Sequence, residues 1–226
     1  MTAALTVISS MATRKLLGEL IDKLAGAPVT VESVGGVDAA RRVAAGEVFD
    51  AVVLGADAID RLITDGQVRA GSRVDLVRSG VALAVKAGAP RPDIGSAQAV
   101  RAAVLAARTV GCSTGPSGVA LARLFERWGI ADAVNAKLVT PPPGVPVGSL
   151  VASGEVALGF QQLSELMHLS GIDVVGPLPD AIQITTVFAG GVATASQQAD
   201  AVAALLAFMA SPQTSDIKRA NGMDQA

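Results

Sequence analysis

Short, almost wholly apolar segments alternate with longer amphipathic or alanine-rich segments along most of this 226-residue chain. The first three apolar segments are Leu5–Ile8, Val29–Ser33 and Ala51–Leu54, and a segment of helical periodicity follows each of them. Short apolar strands of this kind are typical of a sheet that helices cover on both faces. The alternation therefore predicts an α/β protein with mainly parallel strands.

Two longer extended runs stand out from this pattern. They cover Val74–Val85 and Ile182–Val192, and they flank a central α/β block of roughly a hundred residues. A chain that leaves one lobe along a strand and returns along another forms two lobes joined by a two-strand hinge. We therefore expect one lobe from residues 1–79 and 187–226, a second from residues 80–186, and a ligand cleft between them. A single lobe with a long sheet is the alternative.

The remaining predicted elements follow the same periodicities. The predicted helices cover Thr13–Leu24, Val37–Ala45, Ala58–Asp65, Ala97–Ala107, Gly118–Trp128, Val147–Ser153, Gln197–Met209 and Thr214–Asn221. The other predicted strands cover Thr109–Gly111, Ala136–Val139, Val156–Phe160 and Val174–Val175.

Composition excludes several classes of function. Eighteen Lys and Arg against twenty Asp and Glu give a net charge of −2, and the chain has one Trp, five Phe and no Tyr. Nucleic-acid binding is therefore not expected, because the chain has no excess of Lys and Arg to neutralise phosphates and few aromatic residues to stack on bases. Cys112 and His168 are the only residues of their types. They exclude a disulfide within the chain and multi-Cys or multi-His metal sites, so we expect neither a metal nor a cofactor.

We expect neither a membrane span nor a secretory signal in this sequence. No apolar run reaches the ~20 residues that a membrane span requires. The segment Met1–Ser9 has no basic start and no long apolar stretch, and it leads directly into the first predicted strand. We therefore expect a cytoplasmic protein or, if the chain begins at a mature N-terminus, a periplasmic one.

Polar or glycine-rich segments follow four of the predicted strands. Ligands of open parallel sheets bind beyond the carboxyl ends of the strands, where helix N-termini present free N–H groups. None of the four segments opens with a positive charge, and three carry hydroxyl or amide groups. The candidate ligand-binding residues in them are Ser9, Ser10, Gly35, Gly36, Ser113, Thr114, Ser117, Gly118, Gln161 and Gln162. This pattern predicts an anion site built from backbone dipoles and neutral hydroxyls.

A structural interpretation of the same residues stays open, since Ser and Thr are preferred at helix N-caps. The segment Ser113–Gly118 exceeds what a cap needs, because it holds three hydroxyl residues, two glycines and a proline. No Gly-Lys-Ser/Thr follows, so a triphosphate-binding loop is not predicted. Arg78, on the first extended run, is the candidate for a full charge near the ligand. We expect His168 at the surface and Cys112 as a small packed residue.

Several motifs in order resemble those of the type II periplasmic solute-binding proteins, specifically the molybdate-binding branch. They comprise Ser9-Ser10, Ala44–Val52 (AAGEVFDAV), Ser113–Gly118 (STGPSG), Ala157–Phe160 (ALGF) and Leu206–Pro212 (LAFMASP). The resemblance covers nearly the whole chain and implies two α/β lobes that close over a ligand.

The resemblance also implies a set of ligand contacts, which this chain matches in part. In that branch a Ser in the first loop, a Ser in the second, central backbone amides and a late Tyr hold the oxyanion. Ser10 matches the first Ser, but Gly35 stands at the second, and the Tyr position falls near Gln161 or Gln162. A carboxylate or other small organic anion is therefore at least as well supported as molybdate.

Two hypotheses of function follow. The first is a monomeric binding protein for a small anion, with the membrane component of an ABC transporter as its partner. The alternative is a cytoplasmic isomerase of the same fold that acts on an unsaturated carboxylate, because aconitate isomerases resemble this branch. Isomerisation needs an acid/base. The candidates are Glu165, Asp38, His168 and the hydroxyls of Ser9 and Ser10, and the sequence singles out none of them.

Overall fold

The predicted alternation of strands and helices is present in the computed structural model of the chain, which describes residues 4–24, 28–142 and 144–226. The first three residues of the segment examined for a secretory signal lie outside the described residues. The chain divides into two compact units. Unit 1 comprises Met1–Ser79 and Thr186–Ala226, and unit 2 comprises Gly80–Thr185.

The secondary-structure elements are numbered in chain order. The strands are β1 (Leu5–Ser10), β2 (Val29–Val34), β3 (Ala51–Gly55), β4 (Val74–Lys86), β5 (Val110–Cys112), β6 (Leu138–Val139), β7 (Leu158–Gln162), β8 (Ile172–Pro177), β9 (Thr185–Val192) and β10 (Asp224–Gln225). The helices are α1 (Arg14–Asp22), α2 (Gly36–Ala44), α3 (Ala56–Thr64), α4 (Ala97–Ala106), α5 (Pro116–Arg127), α6 (Ala131–Asn135), α7 (Val147–Ser153), α8 (Leu163–Leu166), α9 (Ala199–Ala210) and α10 (Ser215–Ala220). No helix in these ranges combines the length and apolar character needed to cross a bilayer.

The sheet of unit 1 has the strand order β2-β1-β3-β9, in which β1 pairs parallel with β2 and β3, and β9 pairs antiparallel with β3. Successive side chains of a strand point to opposite faces. Val7 therefore packs with Leu17 and Leu206, on the face that α1 and α9 cover, whereas Ile8 packs with Val43 and Ile59 of α2 and α3. Burial on both faces explains why these strand segments are so apolar.

Unit 2 repeats this arrangement with its own strands. β6, β5 and β7 pair in parallel, and β4 pairs antiparallel with both β7 and β8. On one face Val104, Leu121 and Phe160 join the core beneath α4 and α5. On the other face Ala84 packs with Val151 of α7. Each unit thus has apolar clusters on two faces of its strands, as the sequence pattern predicts.

Two neighbouring glycines allow α7 to pack closely on the sheet of unit 2. Gly111 of β5 and Gly159 of β7 lie opposite each other in the ladder. A Cβ atom on Gly111 would lie 2.9 Å from Val147 Cγ1, and one on Gly159 would lie 2.5 Å from Val151 Cγ2. Larger residues at these two positions would push α7 away. The glycines therefore fix the position of α7 at the carboxyl ends of β5 and β7.

Two strand boundaries differ from the prediction in ways that affect candidate residues. The strand predicted at Val156–Phe160 is β7, Leu158–Gln162. Val156 instead donates its N–H to Leu150 O, and its side chain packs beneath α7, so it does not join the ladder. Gln161 and Gln162 are consequently strand residues. Ser9 and Ser10 are likewise the last two residues of β1, paired with Ser33 and Val34 of β2.

Other elements were wrongly bounded or missed. The predicted strand Ala136–Val139 is reduced to β6, because the preceding residues form the short helix α6. The second extended run begins only at β9, since Asp180–Ile182 forms a 3₁₀ turn after Pro179. The short elements α8 and β10 are too brief to leave a periodic signal in the sequence.

Replacing Gly159 with Ala is expected to lower the free energy of unfolding by about 1–3 kcal/mol, because the new methyl group overpacks the contact with Val151. The matched control is Gly18→Ala in α1, where no atom lies within 4 Å of the added Cβ. That change is expected to stabilise the helix by about 0.5–1 kcal/mol. Thermal unfolding of both variants checks the pair, and equal effects of the same sign would contradict the close packing of α7.

Candidate functional site

Ser10 lies at the end of β1 with its hydroxyl beside the first turn after the strand. It is 8% exposed, and its Oγ accepts a hydrogen bond from Ala12 N at 3.3 Å. Its carbonyl accepts from Thr13 Oγ1 at 3.0 Å. The preceding Ser9 is fully buried, and its Oγ lies 2.7 Å from Ser33 Oγ on β2. The hydroxyl of Ser9 is therefore held within the sheet, while Ser10 marks the strand end.

The N-terminus of α2 adjoins Ser10. Gly35 is the N-cap residue of α2 and supplies no side-chain cap. A Cβ on Gly36 would lie 3.6 Å from Ser10 Oγ, so the hydroxyl and the helix start are neighbours within unit 1. Ser96 provides a contrast, because its Oγ caps α4 by accepting from Ala99 N at 3.1 Å. The chain therefore leaves the first N–H groups of α2 without a side-chain acceptor next to a neutral hydroxyl.

Arg78 lies on β4 opposite Asp224 of β10. It is exposed, and its Nε donates to Gln225 O at 3.1 Å. Part of its donor capacity is thus used to hold the C-terminal strand.

In unit 2, the loop after β5 turns tightly into α5. Ser113 Oγ and Ser117 Oγ are 3.0 Å apart, and Ser117 is buried. Gly115 is the N-cap of α5 and again supplies no side-chain cap. Gly118 is required because an added Cβ would lie 1.7 Å from Ser113 O. Together with the exposed Thr114, these residues place hydroxyls around a second uncapped helix N-terminus.

A cavity of about 360 Å³ lies beside this loop within unit 2. Ser113, Thr114 and Gly118 line one part of it, and Phe125 of α5 lines another. Cys112 also contributes, but burial raises the pKa of its thiol to about 12. The thiol is therefore neutral near pH 7 and is not an activated nucleophile.

The strand register brings further candidates to the same edge of unit 2. Cys112 of β5 pairs with Phe160 of β7, so Ser113 and Gln161 are the next residues of two adjacent parallel strands. Gln161 Oε1 accepts from Gly148 N, in the first turn of α7, at 3.0 Å. The starts of α5, α7 and α8 therefore meet where β5 and β7 end.

Gln161 also connects this edge to a carboxyl group. Its Nε2 donates to Glu165 Oε1 at 2.9 Å, so both ends of the amide are engaged within unit 2. Burial raises the pKa of Glu165 to about 7, an effect that the hydrogen bond from Gln161 partly offsets. The side chain of Gln162 is buried, as is Ser164 Oγ, which has no hydrogen-bond partner among the described residues.

The other two ionisable acid/base candidates have surface positions, whereas the Ser9 and Ser10 hydroxyls are buried. Asp38 forms an ion pair with Arg41 at 2.5 Å, and His168 is exposed. The sequence alone does not distinguish Glu165 from these groups. Glu165 follows Gln161 by four residues, and this short separation is the sequence feature that could have indicated contact between the two side chains. No cluster of three or more His, Cys, Asp or Glu able to hold a metal occurs in the described ranges.

Comparisons with known proteins agree on the type of fold. The sequence model of the family described as bacterial extracellular solute-binding protein matches residues 5–224. An aconitate isomerase from Pseudomonas sp. is 40% identical over 216 residues, which cover 92% of this chain and 82% of that protein. The periplasmic molybdate-binding protein of Azotobacter vinelandii superposes with a TM-score of 0.80 at 19% identity, over 97% of this chain and 98% of that chain. A sulfate-binding protein of Mycobacterium tuberculosis superposes with a TM-score of 0.77 at 17% identity, over 98% and 86% of the two chains.

The substitution Gly118→Ala is expected to lower the free energy of unfolding by about 2 kcal/mol or more, because no side-chain motion relieves a contact with the Ser113 carbonyl. The control is Gly115→Ala, with a φ of −82° and no atom within 4 Å of the added Cβ. That variant should stay within about 0.5 kcal/mol of the parent. Thermal unfolding measures both, and a tolerated Gly118→Ala would show that the loop is built differently.

The substitution Glu165→Gln is expected to stabilise the protein relative to the parent, and by more at pH 8 than at pH 5. A carboxyl whose folded pKa is raised from 4.5 to about 7 destabilises the fold as pH rises through that window. A Gln at this position is neutral at both pH values. The difference in free energy of unfolding between variant and parent should therefore change by up to about 3 kcal/mol from pH 5 to pH 8. Unfolding at the two pH values tests this, with the exposed Glu155→Gln as control. A pH-independent difference would contradict the burial of Glu165.

Proposed function

Because the chain belongs to the bacterial extracellular solute-binding protein family, we propose that it is a receptor for a small anion. One observation carries the proposal. In each unit a neutral serine hydroxyl lies beside a helix N-terminus whose N-cap is a glycine: Ser10 at α2, and Ser117 at α5. The family model, the fold and the earlier resemblance to periplasmic binding proteins support the same proposal.

The free energy of binding is proposed to come from backbone dipoles. N–H groups in the first turn of a helix carry partial positive charge, and hydroxyls complete the shell without a buried cation. Each charge-assisted hydrogen bond contributes about 1.5–3 kcal/mol, so five or six give micromolar affinity after the cost of association. Arg78 is the proposed source of a full positive charge.

We propose a carboxylate as the ligand class in preference to a tetrahedral oxyanion. Gly35 provides no hydroxyl where the molybdate-binding branch has a serine, and the chain has no Tyr. Hydroxyls and the Gln162 amide suit planar carboxylates, whereas both ends of the Gln161 amide are already engaged. The 40% identical aconitate isomerase, whose name implies a carboxylate substrate, supports the same class. For a receptor of this family, the proposed partner is the membrane component of an ABC transporter, and we propose that the chain acts as a monomer.

An isomerase acting on an unsaturated carboxylate is the second candidate. It is favoured by the aconitate isomerase relative and by the position of Glu165 at the edge where α5, α7 and α8 begin. A carboxyl with a pKa of about 7 can both accept and donate a proton near neutral pH, as a shift of a double bond requires.

A thermal-shift screen against molybdate, sulfate, and di- and tricarboxylates tests the receptor proposal. A micromolar ligand at millimolar concentration adds about 4 kcal/mol to the folded state. A carboxylate is expected to give the largest shift in melting temperature. No shift with any of these anions would contradict anion binding, and a shift with molybdate or sulfate alone would contradict the ligand class.

Ser10→Ala and Ser117→Ala are each expected to weaken binding of the best carboxylate by tenfold or more, because each removes a hydroxyl donor to a charged oxygen. Ser153→Ala is the control, since that exposed hydroxyl donates to Leu150 O at the end of α7. Isothermal titration measures the affinities. Unchanged binding by both variants would remove these serines from the site.

Turnover separates the two candidate functions. Incubation with trans-aconitate, followed by chromatographic separation of the cis and trans isomers, is expected to show stoichiometric binding without conversion. Catalytic conversion that Glu165→Gln abolishes and His168→Gln preserves would establish the isomerase instead.

A further inference from the structure

The edge of unit 2 that holds the serine loop contains a single ionisable carboxyl. Neither Lys, Arg nor His occurs in residues 112–118, 146–149 or 161–165, and Glu165 is the one acidic residue there. Glu165 is mostly buried, and one oxygen accepts from Gln161 Nε2 at 2.9 Å. Gln161 lies in β7, one residue after the Phe160–Cys112 pair, as Ser113 is at the end of the neighbouring strand, and its Oε1 accepts from Gly148 N in the first turn of α7. A negative charge on Glu165 would therefore stand at an edge whose other groups favour an anion.

Charged groups on the neighbouring elements do not compensate Glu165. The elements that pack against α8 are β7 and β8, and also β4 and α7, whose side chains cluster with Leu166. α7 has no ionisable side chain. β7 has no ionisable side chain, and Asp173 is the one on β8, where its Oδ2 accepts from Gly88 N at 3.1 Å. Lys86, paired with Ile172 at the end of β4, lies near Gly154 at the far end of α7. His168 follows α8 and is exposed, and its variant serves as a control.

From this placement we propose that binding of the anion is coupled to the uptake of one proton by the Glu165 carboxyl. The inference rests on the proposed anion-binding function. An ionised carboxylate at the edge repels an incoming anion, whereas the neutral acid does not. Binding therefore favours the protonated form and draws the proton from solvent.

The orientation of Gln161 makes this coupling possible without rearrangement. Its Oε1 is fixed by Gly148 N, so its Nε2 must face Glu165. The hydrogen bond from Gln161 Nε2 is compatible with the neutral and the ionised form of Glu165, because Glu165 Oε1 accepts it in both forms. Glu165 can thus gain or lose a proton on its other oxygen while the first turn of α7 stays in place. The raised pKa of Glu165, about 7, puts this change in the range where a receptor or enzyme works.

Uptake of one proton on binding gives the dissociation constant a defined dependence on pH. Above the pKa of Glu165 in the free protein, the dissociation constant should rise by about tenfold for each pH unit, and below that pKa it should level off. In Glu165→Gln the dissociation constant should not vary with pH between 7 and 9. Its value at pH 9 should be at least tenfold lower than that of the parent.

The experiment is isothermal titration of the full chain with trans-aconitate at pH 8, in buffers of different ionisation enthalpy. The slope of the observed enthalpy against the buffer enthalpy gives the number of protons exchanged. We expect close to one proton taken up by the parent protein, by Glu155→Gln and by His168→Gln, and close to zero by Glu165→Gln.

Several results would overturn the coupling. Binding by the parent without proton uptake, or uptake that persists in Glu165→Gln, removes Glu165 from the linkage while leaving the receptor function intact. Uptake lost in His168→Gln assigns the proton to the imidazole instead. Absence of binding by trans-aconitate and by every anion of the thermal-shift screen refutes the receptor proposal and the coupling together. As a measurement that needs no variant, carboxyl ¹³C shifts of the parent should show Glu165 titrating near pH 7 without ligand and above pH 9 with it.

Discussion

The candidate site depends on helix N-termini that no side chain caps. Among the described α-helices only α4 has a side-chain cap, and α2 and α5 begin at Gly35 and Gly115, with Ser10 beside the first start and Ser117 within the second. A first turn without a side-chain cap costs some stability, because N–H groups at its start are left without a side-chain acceptor. A bound anion supplies that acceptor. We propose that the same feature that weakens each helix start gives each unit affinity for negative charge, with Ser10 and Ser117 as neutral donors.

Close packing in unit 2 positions the helix starts of the candidate site. Gly111 and Gly159 let α7 approach the sheet, and Gly118 lets the serine loop fold over the start of α5. In all three positions a methyl group would collide with its surroundings. The result is that the starts of α5 and α7 are fixed at one edge, where Gln161 joins α7 to the buried carboxyl of Glu165. Electrostatic function at this edge therefore depends on packing that the sequence expresses only as glycines.

Much of the fold was predictable, because alternating apolar strands and amphipathic helices leave strong periodic signals. Short elements were not: α6 spans five residues and β6 only two, too few for any period. The sequence pattern also predicts Gln161 after its strand and as a ligand-binding candidate, whereas Gln161 lies within β7 and both ends of its amide are hydrogen-bonded within unit 2. Side-chain partners of this kind arise from strand register and helix packing, so local sequence patterns do not contain them.

The central claim is that backbone dipoles at uncapped helix starts bind the ligand. Amide ¹H–¹⁵N shifts of the protein titrated with trans-aconitate test it most directly. The proposal predicts that the largest shift changes fall on the first-turn amides of α2 and α5, including Gly36 and Ser117. Changes confined to amides beside Lys and Arg residues elsewhere on the surface would contradict it.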